Sequence, residues 1–222
     1  MFGPVNTLCL AYFGTFFGAF LLARKEETKR LIHTVMGFGF AGVVSVAGYA
    51  WLYSVIALDN WVITDAPTTL GFEKDSIRVW FMWYAVFSGA MNIIVPDWVH
   101  LVHHIAILAM VYADVGRWVG ISSWVETSTL WVNAIQIMDH FKWNTSRVKV
   151  IFMINFMMCR TLTSIPYLVS ETIRHLSERT NWAYMISISA CALILVPLHL
   201  FWSYKMGRYV VRTALKARSN NV

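Results

Sequence analysis

The chain contains seven long apolar runs, and these runs constrain its fold more than any other feature of the sequence. They cover residues 5–23, 31–57, 77–95, 98–115, 118–138, 149–170 and 182–204. A helix needs roughly 20 apolar residues to cross about 30 Å of hydrocarbon. Only 14% of the residues are charged, whereas soluble proteins carry about 25%. The sequence therefore predicts an all-α, polytopic transmembrane bundle of about seven spans.

Basic residues are concentrated in alternate connections between these runs. They cluster in loop 24–30, around residues 142–149 and in the tail 205–222, whereas loop 58–76 is acidic. Because basic connections stay in the cytoplasm, we expect a lumenal or outside N-terminus and a cytoplasmic C-terminus. Topology also accounts for the net charge of +6, so no nucleic-acid partner is expected. The predicted parts are a first transmembrane helix with its basic loop (1–30), a helical bundle (31–204) and a basic cytoplasmic tail (205–222).

Ionisable side chains lie inside several of the predicted spans, where they are costly and therefore candidates for function. They are His100, His103, His104, Glu126 and Arg160. With about 1.5 Å of rise per residue, Glu126 lies roughly 12 Å and Arg160 about 14 Å from the outer face. Because an unpaired charge at that depth is unfavourable, we expect an ion pair between these two residues, either direct or bridged by water.

Polar residues also recur on the fifth span at spacings of four, three, four and three, which is one face of a helix. These residues are Ser122, Glu126, Thr129, Asn133 and Gln136. The same depth estimate puts His103 and His104 some 8–9 Å from the cytoplasmic edge, level with Asn133. A polar stripe is disfavoured against lipid, so we expect these side chains to surround one buried cavity that opens toward the cytoplasm.

A pair of histidines suits general-base or nucleophilic chemistry, because neutral imidazole accepts a proton or an acyl group near neutral pH. In this interpretation His103 or His104 reacts, Asn133 fixes the tautomer of one ring, and Glu126 stabilises an imidazolium. The alternative is that these polar groups bond to one another and only hold the helices together.

A metal site is a further alternative, built from Asp97, His100, His103 and His104. The remaining histidines are scattered over other segments, so we expect no metal. They are His33, His140, His175 and His199.

Three short motifs carry a family resemblance: "DWVHLVHH" at 97–104, "ETSTLWVN" at 126–133 and "NFMMCR" at 155–160. Together they resemble the TLC-domain family of membrane proteins, which includes ceramide synthases and lipid-regulating members. The resemblance implies a function in long-chain acyl lipid or sphingolipid metabolism, and an acyl-CoA-dependent acyltransferase if the chain is an enzyme. The implied membrane is the endoplasmic reticulum, with the plasma membrane as the alternative.

The marked positions of that family correspond here to His103, His104, Glu126, Asn133 and Arg160. Supporting residues of the expected site are Asp97, His100, Thr129 and Asn155. The expected partners are membrane lipid, an acyl-CoA cosubstrate and a lipid acceptor, and no bound cofactor is expected.

One departure from ceramide synthases and one rival resemblance leave other functions open. Ceramide synthases have two aspartates three residues apart, whereas this chain has Glu126 and Thr129 at the matching positions, which favours a non-catalytic lipid-binding, lipid-sensing or cargo-receptor protein. In addition, His100, His103 and His104 form the H-x-x-H-H box of fatty acid elongases. The acidic stretch that precedes that box in elongases and the Asn-x-x-x-His pattern that follows it are missing.

Overall fold

The computed structural model describes residues 4–57, 74–112, 116–178 and 182–219, and every regular element in these ranges is helical. Helices α1 to α5 are Pro4–Leu22, Glu26–Ala57, Lys74–Ile94, Trp98–Tyr112 and Gly116–His140. Helix α6 (Ser146–Phe156) continues through a π-helical segment, Met157–Ser164, into α7 (Ile165–Glu178), and α8 is Trp182–Ser219. The described parts of all seven predicted apolar runs are helical almost throughout. The predicted acidic loop 58–76 lies mostly outside the described residues.

Five of the described helical stretches are long and apolar enough to cross a membrane. They are Pro4–Leu22, Glu26–Ala50, Ser76–Ile94, Ser146–Glu178 and Met185–Arg212. Helix α4 contributes a shorter apolar stretch, Trp98–Ala109. Helix α5 carries the polar stripe and packs most extensively against α2. Because neighbouring helices cover it, α5 does not need an apolar surface all round. The chain is thus an all-helical bundle of the membrane type.

Two helix ends differ from the expected boundaries. The predicted basic loop 24–30 is largely helical, because α2 begins at Glu26. Two acidic residues in its first turn favour this start through the helix dipole, and Arg30 donates to Glu26 Oε1 at 2.6 Å. At the other end of the chain, α8 does not stop near residue 204 but continues as one helix of 38 residues to Ser219.

The π-helical segment has a local cause in Pro166. This residue has no N–H group, so the bond to the carbonyl four residues earlier is lost inside a continuous helix. The helix widens over the preceding turns, where the Thr163 hydroxyl donates to the Met158 carbonyl at 2.7 Å. The widened segment buries Cys159, Arg160 and Ser164 together. Such segments are often found at functional sites.

Glycines allow α2 and α5 to approach closely. A Cβ atom added to Gly48 would lie 2.6 Å from the backbone carbonyl of Ser123. About three turns away on the same helix, a Cβ added to Gly37 would lie 2.8 Å from Nδ2 of Asn133 and 3.3 Å from the hydroxyl of Tyr84. The first glycine therefore sets the spacing of the two backbones, and the second leaves room for polar side chains.

Candidate functional site

A cavity of about 530 Å³ lies inside the bundle, and it is lined by α2 to α6, the π segment and α8, with Phe20 added from α1. Eight residues that the sequence predicts for the site line this cavity: Asp97, His100, His103, His104, Glu126, Thr129, Asn133 and Arg160. Of the other residues in the predicted polar stripe, Gln136 lines it as well, whereas Ser122 does not. The prediction that histidine, carboxylate, amide and guanidinium groups share one pocket is therefore confirmed.

Asn155 is the predicted site residue that the structure does not bring to the cavity. Its Oδ1 accepts a hydrogen bond from Thr127 Oγ1 at 3.0 Å and from Cys159 Sγ at 3.5 Å. Arg160 lies five residues later, inside the π segment, and bonds to other partners, Ser128, Thr129 and His199. Asn155 therefore supports the contact between α5 and the π segment.

The mouth of the cavity lies at the end of the bundle that carries the basic connections. Its exposed lining residues are Arg30 near the start of α2, Gln136 near the end of α5, His100 near the start of α4, and Lys205 on α8. By contrast, Glu126 and Arg160 are buried, with 3% and 5% exposure. The charged pair thus lies at the inner end of a cavity that opens on the basic side.

Asp97 and His100 form a pair at this mouth. The backbone N–H of His100 donates to Asp97 Oδ1 at 3.2 Å, and its ring Nδ1 lies 2.7 Å from Asp97 Oδ2. The first contact caps the start of α4. Burial raises the pKa of Asp97, but the charge of His100 and its two hydrogen bonds outweigh burial and hold that pKa below the ordinary value of 3.8. The carboxylate also favours the His100 tautomer that carries its proton on Nδ1.

His104 is oriented by Asn92 and not by Asn133. The amide nitrogen of Asn92 lies 3.3 Å from His104 Nδ1 and donates to it, which leaves the proton of a neutral ring on Nε2. Tyr84 packs edge-on against the same imidazole, with 5.3 Å between ring centroids. The amide of Asn133 lies near Gly37, and its predicted role in fixing the tautomer of one ring stays a prediction.

His103 is the buried imidazole closest to a carboxylate inside the cavity. Its Nε2 lies 4.0 Å from Glu126 Oε1, and its Nδ1 is buried without a hydrogen-bond partner in the described part of the chain. A proton on the buried Nδ1 would leave the Nε2 lone pair facing Glu126 as an acceptor. His103 therefore has the orientation of a base, although its contact with Glu126 is longer than a hydrogen bond.

Arg160 is held by three neutral acceptors. Its Nε donates to Ser128 Oγ at 2.7 Å, Nη2 to Thr129 Oγ1 at 2.8 Å, and Nη1 to His199 Nε2 at 3.3 Å. The predicted direct ion pair with Glu126 is not formed in the described residues. The form bridged by water stays a prediction.

Trp202 contacts both the guanidinium and two imidazoles of the site. Its ring lies 5.3 Å from the guanidinium carbon of Arg160, and the centroids of the His103 and His199 rings lie 6.0 and 6.1 Å from its own. A guanidinium over an indole face gains cation–π energy, and the ring shields the charge from water. Trp202 is thus part of the wall that fixes Arg160 beside the imidazole.

Four contributors are not predicted by the sequence reasoning: His33, Asn92, His199 and Trp202. The sequence places His33 and His199 on separate segments, yet His33 lines the cavity and bonds to Ser88 Oγ at 2.6 Å. The signal that could have found three of them is an amide or imidazole inside an apolar run, which applies to His33, Asn92 and His199. Sequence spacing alone does not reveal which helices face each other, so it could not join these residues to α4 and α5.

Among the described residues there is no group of three or more His, Cys, Asp or Glu side chains arranged to hold a metal ion. Comparisons with protein-family models, with curated proteins and with solved structures give no match to this chain. The resemblance to TLC-domain proteins therefore stays a prediction.

Proposed function

We propose that this chain is an integral membrane protein that handles long-chain acyl lipids in the cavity between α4, α5 and the π segment. The proposed topology has seven crossings, with the N-terminus lumenal and the C-terminus cytoplasmic, and the proposed location is the endoplasmic reticulum. The orientation is supported by the basic residues at the mouth, Arg30 and Lys205. The location and the lipid class rest on the resemblance to TLC-domain proteins.

The proposed reaction is acyl transfer from a long-chain acyl-CoA that enters from the basic side. His103 is the preferred base or acyl acceptor, because its Nε2 faces Glu126 and makes no hydrogen bond in the described chain, whereas Nδ1 of His104 is bonded to Asn92. Glu126 would stabilise the imidazolium that forms on His103. The observation that carries this proposal is the His103–Glu126 contact inside a cavity that opens toward basic residues.

The second candidate is a non-catalytic lipid-binding protein that uses the same cavity. The His103–Glu126 separation of 4.0 Å favours it, because a catalytic dyad needs about 2.6–3.2 Å, although such contacts are often longer before substrate binds. The resemblance also favours it, because Thr129 replaces the second aspartate of ceramide synthases. In this case the imidazoles would serve as hydrogen-bonding groups for a bound lipid.

Intact mass distinguishes the two candidates. Purified protein incubated with long-chain acyl-CoA should gain the mass of one acyl group if His103 is the acyl acceptor, and His103→Ala should not. His140→Ala is the matched control, because His140 is an exposed histidine at the end of α5.

If His103 acts only as a base, adding a lipid acceptor to this mixture should transfer the acyl group to the acceptor and release free CoA, and His103→Ala should abolish that release. Unchanged mass and no CoA release, together with lipid that co-purifies with the wild type and with His103→Ala, would favour the binding protein.

A further inference from the structure

The cavity contains two opposite charges that do not neutralise each other by contact. Glu126 and Arg160 both line it and both are buried. In the described chain no ion pair joins them, although they lie on adjacent elements at the same end of the cavity. A buried charge is strongly unfavourable unless it is paired and hydrogen-bonded. The arrangement therefore leaves capacity for a ligand that carries charges of both signs.

Arg160 has N–H groups that make no hydrogen bond to the described residues. A guanidinium has five N–H groups, and Ser128, Thr129 and His199 take three of them, one from each nitrogen. One N–H on each terminal nitrogen has no partner in the described residues. Two such donors on neighbouring nitrogens match the oxygens of a phosphate or a carboxylate. Because the three bonds hold the group in place, little ordering is needed when an anion binds.

Glu126 and His103 provide hydrogen-bond acceptors in the same cavity as Arg160. The carboxylate of Glu126 makes no hydrogen bond to the described residues, and the nearest recorded contact is His103 Nε2 at 4.0 Å. His103 is 8% exposed, and its Nε2, which faces Glu126, makes no hydrogen bond in the described chain. A carboxylate and an imidazole lone pair suit a donor that carries several N–H groups, such as a primary ammonium. A trimethylammonium group has no N–H to offer them.

The walls of the same cavity supply apolar surface for the rest of such a molecule. Phe20, Val95, Val132, Phe152 and Phe156 line it together with the charged groups. A volume of about 530 Å³ lies within the usual range of about 300–1,000 Å³ for small-molecule sites. Polar and apolar lining residues in one cavity fit a lipid headgroup with the first part of its chain.

We propose that the cavity binds a lipid whose headgroup carries both an anionic phosphate and a primary ammonium. The phosphate lies against Arg160, and the ammonium lies between Glu126 and His103. This inference rests on the proposed lipid-handling function and names its ligand class, but it does not depend on acyl transfer.

The test is a binding series on the full chain in a non-ionic detergent, followed by native mass spectrometry and by quenching of tryptophan fluorescence. The probes are four single-chain lipids with the same acyl or alkyl chain. They are lysophosphatidylethanolamine, lysophosphatidylcholine, lysophosphatidic acid and a primary alkylamine. We expect the ethanolamine lipid to bind at least about ten-fold more tightly than each of the others, which corresponds to about 1.4 kcal/mol. Free phosphoethanolamine should bind more weakly than the lysolipid, since it lacks the chain.

Two variants test which residue binds the phosphate and which binds the ammonium. Arg160→Gln should remove the preference for the ethanolamine lipid over the alkylamine, and Glu126→Gln should remove its preference over lysophosphatidic acid. The controls are Arg212→Gln and Glu178→Gln, which alter exposed residues on α8 and α7. If a variant does not fold, the ligand series on the wild-type chain decides alone.

Equal binding of all four lipids by the wild-type chain would overturn the inference, as would variants that leave every ratio unchanged. Binding of free phosphoethanolamine as tight as that of the lysolipid would overturn the lipid as the source of the headgroup. The series contains no acyl-CoA. A failure of acyl transfer therefore leaves this result intact, and a failure of headgroup selectivity says nothing about transfer.

Discussion

Replacing Gly48 by alanine should separate α2 from α5 and weaken the fold around the cavity. The added Cβ would lie 2.6 Å from the carbonyl carbon and oxygen of Ser123 and 2.7 Å from the backbone nitrogen of Trp124, whereas ordinary contacts begin at 3.4 Å. These neighbours are backbone atoms, so no side chain can rotate away. The two helices must move apart to relieve the contact.

The magnitude follows from two opposing contributions. Overpacking of this kind typically costs about 1–3 kcal/mol, while alanine in place of a helical glycine contributes up to about 1 kcal/mol of helix propensity. We expect the free energy of unfolding of Gly48→Ala to fall by about 1–2 kcal/mol. Ser123 lies one turn before Glu126, so the displacement should also reduce lipid retention in the cavity.

The assay is reversible unfolding in mixed micelles with an increasing fraction of a denaturing detergent. Gly18→Ala is the matched control, because a Cβ added to Gly18 in α1 meets no atom within 4 Å. It should raise the free energy of unfolding by up to about 1 kcal/mol. If the two variants change stability by the same amount and in the same direction, the close backbone contact of α2 with α5 is refuted.

Three further predictions concern the hydrogen-bond acceptors of Arg160, the mouth of the cavity and the topology. Ser128→Ala removes the acceptor of Arg160 Nε and should lower the free energy of unfolding by about 1.5–3 kcal/mol, whereas Ser170→Ala on the exposed face of α7 should change it by less than about 0.5 kcal/mol. The pKa of Asp97 is lowered in the folded chain, so its charge stabilises the fold above the ordinary value of 3.8 and this contribution is lost as pH falls through the lowered value. Melting curves of Asp97→Asn and wild type should therefore differ at neutral pH and converge in acid, and a constant difference would contradict this reading. The exposed sequon at Asn144 lies at the basic end and should carry no glycan in microsomes, whereas modification there would invert the proposed topology.

The helices and most of the cavity could be predicted from the sequence because both depend on local periodicity. Apolar runs identify helices regardless of their neighbours, and the spacing from Glu126 to Gln136 identifies one helix face. Partners on other helices depend on rotation and relative height, which no local pattern encodes. Thus Asn92, twelve residues before His104, becomes its partner only because α3 and α4 fold back on each other.

The absence of a direct Glu126–Arg160 ion pair has a related cause, which lies in the π segment. Pro166 widens the helix around Arg160, and each turn of a π segment holds more residues than a turn of an α-helix. Arg160 lies within this widened segment. It meets the hydroxyls of Ser128 and Thr129 on α5 and the ring of His199 on α8. These neutral groups accept its hydrogen bonds but carry no negative charge to balance it. A direct carboxylate contact would neutralise that charge, and without one Arg160 is a fixed cation at the inner end of the cavity.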